Sequence, residues 1–286
     1  MDLYMKKILL SVAISLSVLS AAPAMAATPT FSASQMAQVK IKDLSFKEVM
    51  RQFYSGRMGQ QFVDNEDIES MPNIGLDSVD SDGERTVAVM HPVMMYKNTA
   101  GEPRYLVTIE KVQVNNGALV QCHACDATAD LYSFKKLSNG QFKLVSRTPK
   151  NVEFSTSWGR VGLYAEDIKE GLQPLGKNLM GSIFMNGYTS TGTTDSWWDV
   201  LHLPENAFID VYTLGDAGSS NAGNYEEDSP LYYDYDVTFK VLPDATTYYP
   251  IKLTFKGDKP TEDYERINRV NYSKTVKFDP IKKVYK

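Results

Sequence analysis

Three stretches near the C-terminus alternate apolar and polar side chains with a period of two, and nothing else in the chain limits the fold so tightly. Tyr235, Val237, Phe239 and Val241 interleave with Asp236, Thr238 and Lys240. Ile251, Leu253 and Phe255 repeat the rule, and Val270, Tyr272, Val276 and Phe278 repeat it opposite Asn271, Ser273, Thr275 and Lys277. Side chains on a strand point to opposite faces in turn, so each stretch is a strand with one dry and one wet face, the signature of antiparallel sheet. Upstream, residues 86–96, interrupted by Pro92, and 105–114 are rich in β-formers. Asn116-Gly117 predicts a hairpin into 118–121, and Asn139-Gly140 predicts one between 131–137 and 142–145. No strand-helix-strand alternation and no obvious fixed-period repeat is present, which argues against a doubly wound sheet and against a regular solenoid or propeller. The expected fold is mainly β, an antiparallel sandwich or irregular barrel with a short N-terminal helical segment.

That segment is expected over residues 27–75. Ser45-Phe46-Lys47-Glu48 has the form of a capping box, with Leu44 and Val49 placed as a hydrophobic staple. Phe46, Val49, Met50 and Phe53 then follow at helical spacing up to a stop at Gly56. Residues 76–286 are expected to form the β-rich domain. The glycine-rich run from Gly215 to Gly223 reads as a flexible loop and as a place, near 215–224, where that domain could subdivide.

The first 26 residues read as a secretory signal: Lys6 and Lys7, a mostly apolar run from Ile8 to Leu19, and the small-residue cleavage site Ala24-Met25-Ala26. The run of about 12 residues is too short to span a bilayer, so no transmembrane anchor is expected. No Cys stands at the cleavage point, so neither is a lipid anchor. The mature chain is expected in the periplasm or outside the cell. A net charge of −5 without a block of Lys or Arg argues against nucleic acid as a partner.

Only two cysteines are present, both in Cys122-His123-Ala124-Cys125-Asp126. In a flat strand their Cα atoms would lie about 10 Å apart, beyond the ~7 Å reach of a disulfide, so a bond between them demands a turn. Closing so small a loop removes little unfolded-state entropy, about 2 kcal/mol. Three readings stand together: a local structural disulfide, a redox pair in which His123 lowers a thiol pKa, and a metal site using His123. A second acidic motif, Asp77-Ser78-Val79-Asp80-Ser81-Asp82-Gly83-Glu84, offers Asp80, Asp82 and Glu84 as hard oxygen ligands for Ca²⁺. A third stretch, residues 187–199, reads as a polar loop ending in a Trp pair, with Tyr188, Trp197 and Trp198 as a binding surface for a sugar or a protein. His91 and His202 read as packed strand residues. Neither a G-x-S-x-G elbow, a P-loop, G-x-G-x-x-G nor H-E-x-x-H occurs, which favours binding over catalysis.

The Asp80-Ser81-Asp82-Gly83 stretch resembles one degenerate copy of the Asp-x-Asp-Gly element of FG-GAP-type calcium repeats, which implies Ca²⁺ as a ligand. As a whole, the chain resembles a group of uncharacterised exported bacterial proteins with a signal peptide, a Cys-His-Ala-Cys element before a hairpin, and an ending here formed by Lys277-Phe278-Asp279 to Tyr285. That resemblance implies export and β architecture. The leading expectation is an exported, non-enzymatic envelope protein that binds a protein or a glycan. The alternative is a thiol-disulfide or metal-handling protein centred on Cys122 and Cys125.

Overall fold

In a computed structural model, residues 33–79, 84–150 and 152–286 are described, and 51% strand against 9% helix makes the class mainly β. Residues 1–32, which include the expected signal segment, and Asp80 to Gly83 lie outside the described residues. The N-terminal part comprises α1 (Ala33–Met36), β1 (Lys40–Ile41), α2 (Phe46–Tyr54), β2 (Met58–Gly59), α3 (Glu66–Glu69) and β3 (Asn73–Val79). Next come β4 (Arg85–Met90), β5 (Met94–Lys97), β6 (Pro103–Asn115), β7 (Ala118–Leu119), β8 (Thr128–Lys136) and β9 (Phe142–Arg147). These strands form one antiparallel sheet in the order β1-β9-β8-β6-β4-β3-β2, with β5 and β7 also paired to β6.

Helix α2 forms where the capping box places it. The Ser45 side chain accepts the Glu48 N–H, and Gly56 takes a φ of 79° beyond the last turn. Val49, Met50 and Tyr54 are buried against Ala88, Met90, Val107, Ile109, Tyr132 and Phe134, which stabilises the contact by roughly 1.5–3 kcal/mol per fully buried large side chain. The opposite face of the same sheet carries Val87, Val89, Leu106, Val112 and Leu131 into a second core shared with Phe184, Leu201 and Leu203. Covered on both sides, β4 and β8 are buried almost continuously. The expected 86–96 strand is two strands. His91-Pro92-Val93 separates β4 from β5, because Pro92 has no N–H to give the ladder.

Asn116 and Gly117 both adopt positive φ, 49° and 91°, and turn β6 directly into β7. After β9 come a small hairpin of β10 (Thr156–Ser157) and β11 (Arg160–Val161), and α4 (Ala165–Glu170). The second large sheet is a meander of β12 (Leu172–Gly176), β13 (Leu179–Ser190), β14 (Thr193–Leu203), β15 (Asp210–Ser220), β16 (Asp234–Val241), β17 (Ile251–Pro260) and β18 (Ile267–Val276). It curls into a half-barrel, and its hollow is filled by Ile183, Val200, Leu214, Val237, Leu253 and Phe255.

Three expectations change here. Residues 187–199 are not a loop: β13 and β14 run as one long hairpin turned by Thr191 and Gly192, both at positive φ. The glycine-rich run is not a flexible loop over most of its length: residues 215–220 complete β15. Gly218 lies so close to β16 that a Cβ there would meet the Tyr235 carbonyl at 2.6 Å, and the register against β14 shifts twice nearby. The third alternating stretch is only partly inward. Val276 is buried, but Tyr272 is exposed on the edge strand β18, and Phe278 belongs to a separate C-terminal hairpin of β19 (Phe278–Asp279) and β20 (Val284–Tyr285).

The two sheets belong to one compact unit. Arg104, 3% exposed, grips Glu205 with two 2.8 Å hydrogen bonds and so fastens the β14–β15 connection onto β6. The same connection leans on β9 through Asn206 N–H to Val145 O and Ile209 N–H to Arg147 O, both 2.8 Å.

Candidate functional site

Three chain segments meet at one end of the inter-sheet core and enclose an open cleft of about 300 Å³. The first is the Cys122–Cys125 loop between β7 and β8, the second is the β10–β11 hairpin with the turn into α4, and the third is the β13–β14 hairpin. His123, Tyr164, Tyr188 and Trp197 supply its rings, and Ser155, Thr156, Arg160 and Asn186 supply polar groups.

Cys122 and Cys125 form a disulfide with Cα atoms 4.9 Å apart, in a turn closed by the Cys125 N–H on the Cys122 carbonyl at 3.0 Å. The bond removes both thiolates as metal ligands. Strand β8 follows the motif, where a thioredoxin-like site opens a helix. No three His, Cys, Asp or Glu side chains converge to hold a metal among the described residues. Asp80 and Asp82 lie outside those residues. Glu84 is half-buried just before β4.

The β10–β11 hairpin is unusual in its turn. Trp158 and Gly159 both have positive φ, 55° and 71°, in a two-residue turn that normally takes Asn-Gly. A bulky ring in this conformation costs roughly 1–2 kcal/mol. The cost brings the Trp158 ring onto His123, with centroids 4.3 Å apart. Gly159 is required twice, for its φ and for space, since a Cβ there would meet the Val120 carbonyl at 2.2 Å.

Arg160 points along one wall of the cleft from a rigid mount. Its Nε and Nη2 donate to Glu110 at 2.9 and 2.8 Å, and Glu110 also accepts the Val161 N–H and faces His91 at 2.8 Å. Glu110 is fully buried. Burial works to raise its pKa, but hydrogen bonds from His91 and Arg160 and the guanidinium charge outweigh it and hold the carboxyl down to about 2. Nη1 of Arg160 has no hydrogen-bond partner among the described residues.

On the third wall, β13 and β14 set Asn186 opposite Trp197 and Tyr188 opposite Asp195. Tyr188 and Trp197 lie with ring centroids 6.1 Å apart, and Tyr188 is half exposed. Behind them Asp199, 2% exposed, accepts hydrogen bonds from Ser155, Asn186, Trp197 and Thr213. Both carboxylate oxygens are therefore occupied, and Asp199 serves to fix the cleft floor. Trp198 points the other way, donates to the Val237 carbonyl at 2.7 Å and packs edge-on against Phe239, so it belongs to the half-barrel core and not to the surface.

The structure thus brings His123, Tyr188 and Trp197 into one cleft and removes Trp198 from it. Trp158, Arg160, Tyr164 and Asn186 carried no sequence expectation. Trp158-Gly159 alone left a trace, as a turn dipeptide with an aromatic in the place of Asn. His202 is buried in an aromatic box of Tyr212, Tyr248, Phe278 and Tyr285, with Nε2 2.7 Å from the Tyr285 hydroxyl, and burial pushes its pKa down to about 3. It is far from acting as a base. No helix among the described residues is long and apolar enough to cross a membrane.

No protein-family model, no curated protein and no solved structure matches the chain.

Proposed function

We propose that this chain is an exported β protein that binds a glycan in the cleft between His123, Tyr164, Tyr188 and Trp197, without performing chemistry on it. The observation that carries the reading is the mixture lining that cleft: several aromatic rings interleaved with hydroxyl, amide and guanidinium donors. A sugar ring offers C–H faces that lie on aromatic planes and hydroxyls that need directional partners, so both halves of the lining have a use. A volume near 300 Å³ suits a small ligand. A protein partner would call for a broader, drier patch, and these rings are separated by polar groups. Export rests on Lys6, Lys7, the apolar run and Ala24-Met25-Ala26, with cleavage after Ala26 into the periplasm or medium; a disulfide in the only Cys pair fits an oxidising compartment.

The test is co-sedimentation of the full chain with insoluble peptidoglycan, chitin and cellulose, alongside a soluble glycan array. Retention on at least one, weakened about tenfold by Trp197→Ala or Tyr188→Ala in proteins that still melt cooperatively, is the expected result. Retention on none, or retention indifferent to both substitutions, overturns the reading.

A further inference from the structure

We infer that the Cys122–Cys125 disulfide is a redox latch that holds one wall of the cleft in place, so that its reduction releases the wall and weakens ligand binding. The inference rests on the glycan reading for its consequence, but on geometry alone for the latch itself.

Between Leu119 and Ala127 the loop buries no apolar side chain. Gln121, Cys122, His123, Ala124 and Asp126 are exposed, and Cys125 is half-buried. Hydrophobic burial therefore does nothing to fix these residues, and the covalent bond is the strongest constraint on their shape. What the loop fixes in turn is the β10–β11 hairpin. The Cys125 carbonyl accepts the Gly159 N–H at 3.0 Å, Asp126 Oδ1 accepts the Thr156 hydroxyl at 3.0 Å, and the His123 ring packs at a tilt of 48° against Trp158. The unfavourable backbone conformation of Trp158 persists because these contacts oppose it. Once they loosen, Trp158 is free to leave the left-handed region, and His123 leaves the cleft with the loop. Arg160 stays, because buried Glu110 anchors it independently. The loop and the β10–β11 turn it holds are thus redox-dependent, while Arg160 and the β13–β14 hairpin are not.

The exposed Cys122 sulfur is open to attack. A thiolate of a dithiol reductant attacks Cys122 Sγ, a mixed disulfide forms, and Cys125 leaves as thiolate and takes up a proton. The reductant's second thiol then displaces Cys122, leaving the reductant oxidised and this chain with two thiols: two electrons and two protons transferred in total.

The experiment compares the full chain in the oxidised form with the same protein reduced by dithiothreitol and capped with iodoacetamide. Hydrogen exchange at the Gly159 amide is followed together with retention on whichever of peptidoglycan, chitin or cellulose the oxidised chain binds. Reduction is expected to speed exchange at Gly159 at least tenfold, to leave Thr148 N–H on Leu131 O protected, to move Tm by only a few degrees, and to weaken retention several-fold. Unchanged exchange at Gly159 overturns the latch, whether or not any glycan binds. Faster exchange with unchanged retention overturns its link to binding. An oxidised chain that binds no glycan sinks the functional reading while the exchange arm still decides the latch. Cys122→Ser/Cys125→Ser provides a version that cannot reclose; should it fail to fold, the chemically reduced chain still answers.

Discussion

The two large sheets both bury ionisable groups, and they neutralise them by opposite means. The first sheet gives each one a charged partner: Glu110 has Arg160 and His91, Asp130 has Lys111 together with the Tyr54 hydroxyl, and Arg104 has Glu205 and Glu102. The half-barrel gives its own neutral company: Asp199 accepts from two hydroxyls, an amide and an indole, and His202 sits among aromatic rings and a tyrosine hydroxyl. The difference is not one of burial, since Asp199 at 2% exposed is drier than Asp130 at 8%; it lies in what the neighbours supply. Glu110 and Asp130 each meet a cation, Arg160 and Lys111, which offsets the cost of burying a carboxylate. Asp199 meets four neutral donors that occupy both of its oxygens, and such directed dipoles satisfy it without a counter-charge.

Removing one member of each kind separates the two arrangements most sharply. Glu110→Ala leaves the Arg160 guanidinium without its partner and is expected to destabilise the protein by about 3–5 kcal/mol in urea unfolding. Asp199→Ala leaves only neutral donors and is expected to cost about 1–3 kcal/mol. Equal losses would break the contrast.

Acid should reach the two sheets at different points. Glu110 has a folded pKa near 2 against an ordinary 4.5, so the unfolded chain binds its proton more readily. Its contribution, about 3 kcal/mol, is complete above pH 4.5 and is lost as pH falls toward 2. His202 is lowered from 6.5 to about 3 by burial, and the side chains around it, Tyr212, Tyr248 and Tyr285, offer no negative charge to favour its protonation near neutrality. The unfolded state takes up that proton first, so stability declines from pH 6.5 down to 3. In urea titrations across pH, His202→Phe should flatten the upper window and Glu110→Gln the lower one. A His202→Phe protein with an unaltered slope between pH 6.5 and 4.5 would show that the aromatic box does not control the upper window.

The neighbouring tryptophans sharpen the contrast between core and cleft. Trp198→Ala opens a hole beside Phe239 and is expected to cost about 3 kcal/mol, read as a lower Tm. Trp197→Ala should change stability by less than about 1.5 kcal/mol while weakening ligand retention. The reverse ranking would place the binding face on the other side of β14.

Legibility in the sequence followed solvent. β16 and β17 alternate cleanly because one face is wet, and their facing was readable residue by residue. β4, β6 and β8 were readable as strands but not by face, since two covered faces erase the alternation. Glycines misled: Gly215 and Gly218 look like a linker, yet they serve close strand approach and a shift of register, which depends on a partner strand the local sequence does not reveal. Tyr188 and Trp197 could be proposed from composition. Their meeting with His123 and Arg160 could not, because segments about 35 and 60 residues apart come together only through the stacking of two sheets. Trp197 and Trp198 were grouped as one surface because residues 187–199 read as a loop; on strand β14 adjacent side chains point to opposite faces, which parts the two rings.

The smallest expected effect tests how much of the first sheet's stability is local. Ser45 caps α2 through its side-chain oxygen on the Glu48 N–H, while Leu44 and Val49 both pack into the core beneath. Ser45→Ala removes the acceptor and leaves the packing, so a loss of about 1 kcal/mol is expected, seen as a Tm lower by roughly 2–4 °C. Because α2 touches only the outer face of that sheet, the loss should leave ligand retention in the cleft unchanged. If retention falls as well, the helix face and the cleft are coupled through the sheet, and the division between a supporting layer and a binding layer does not hold.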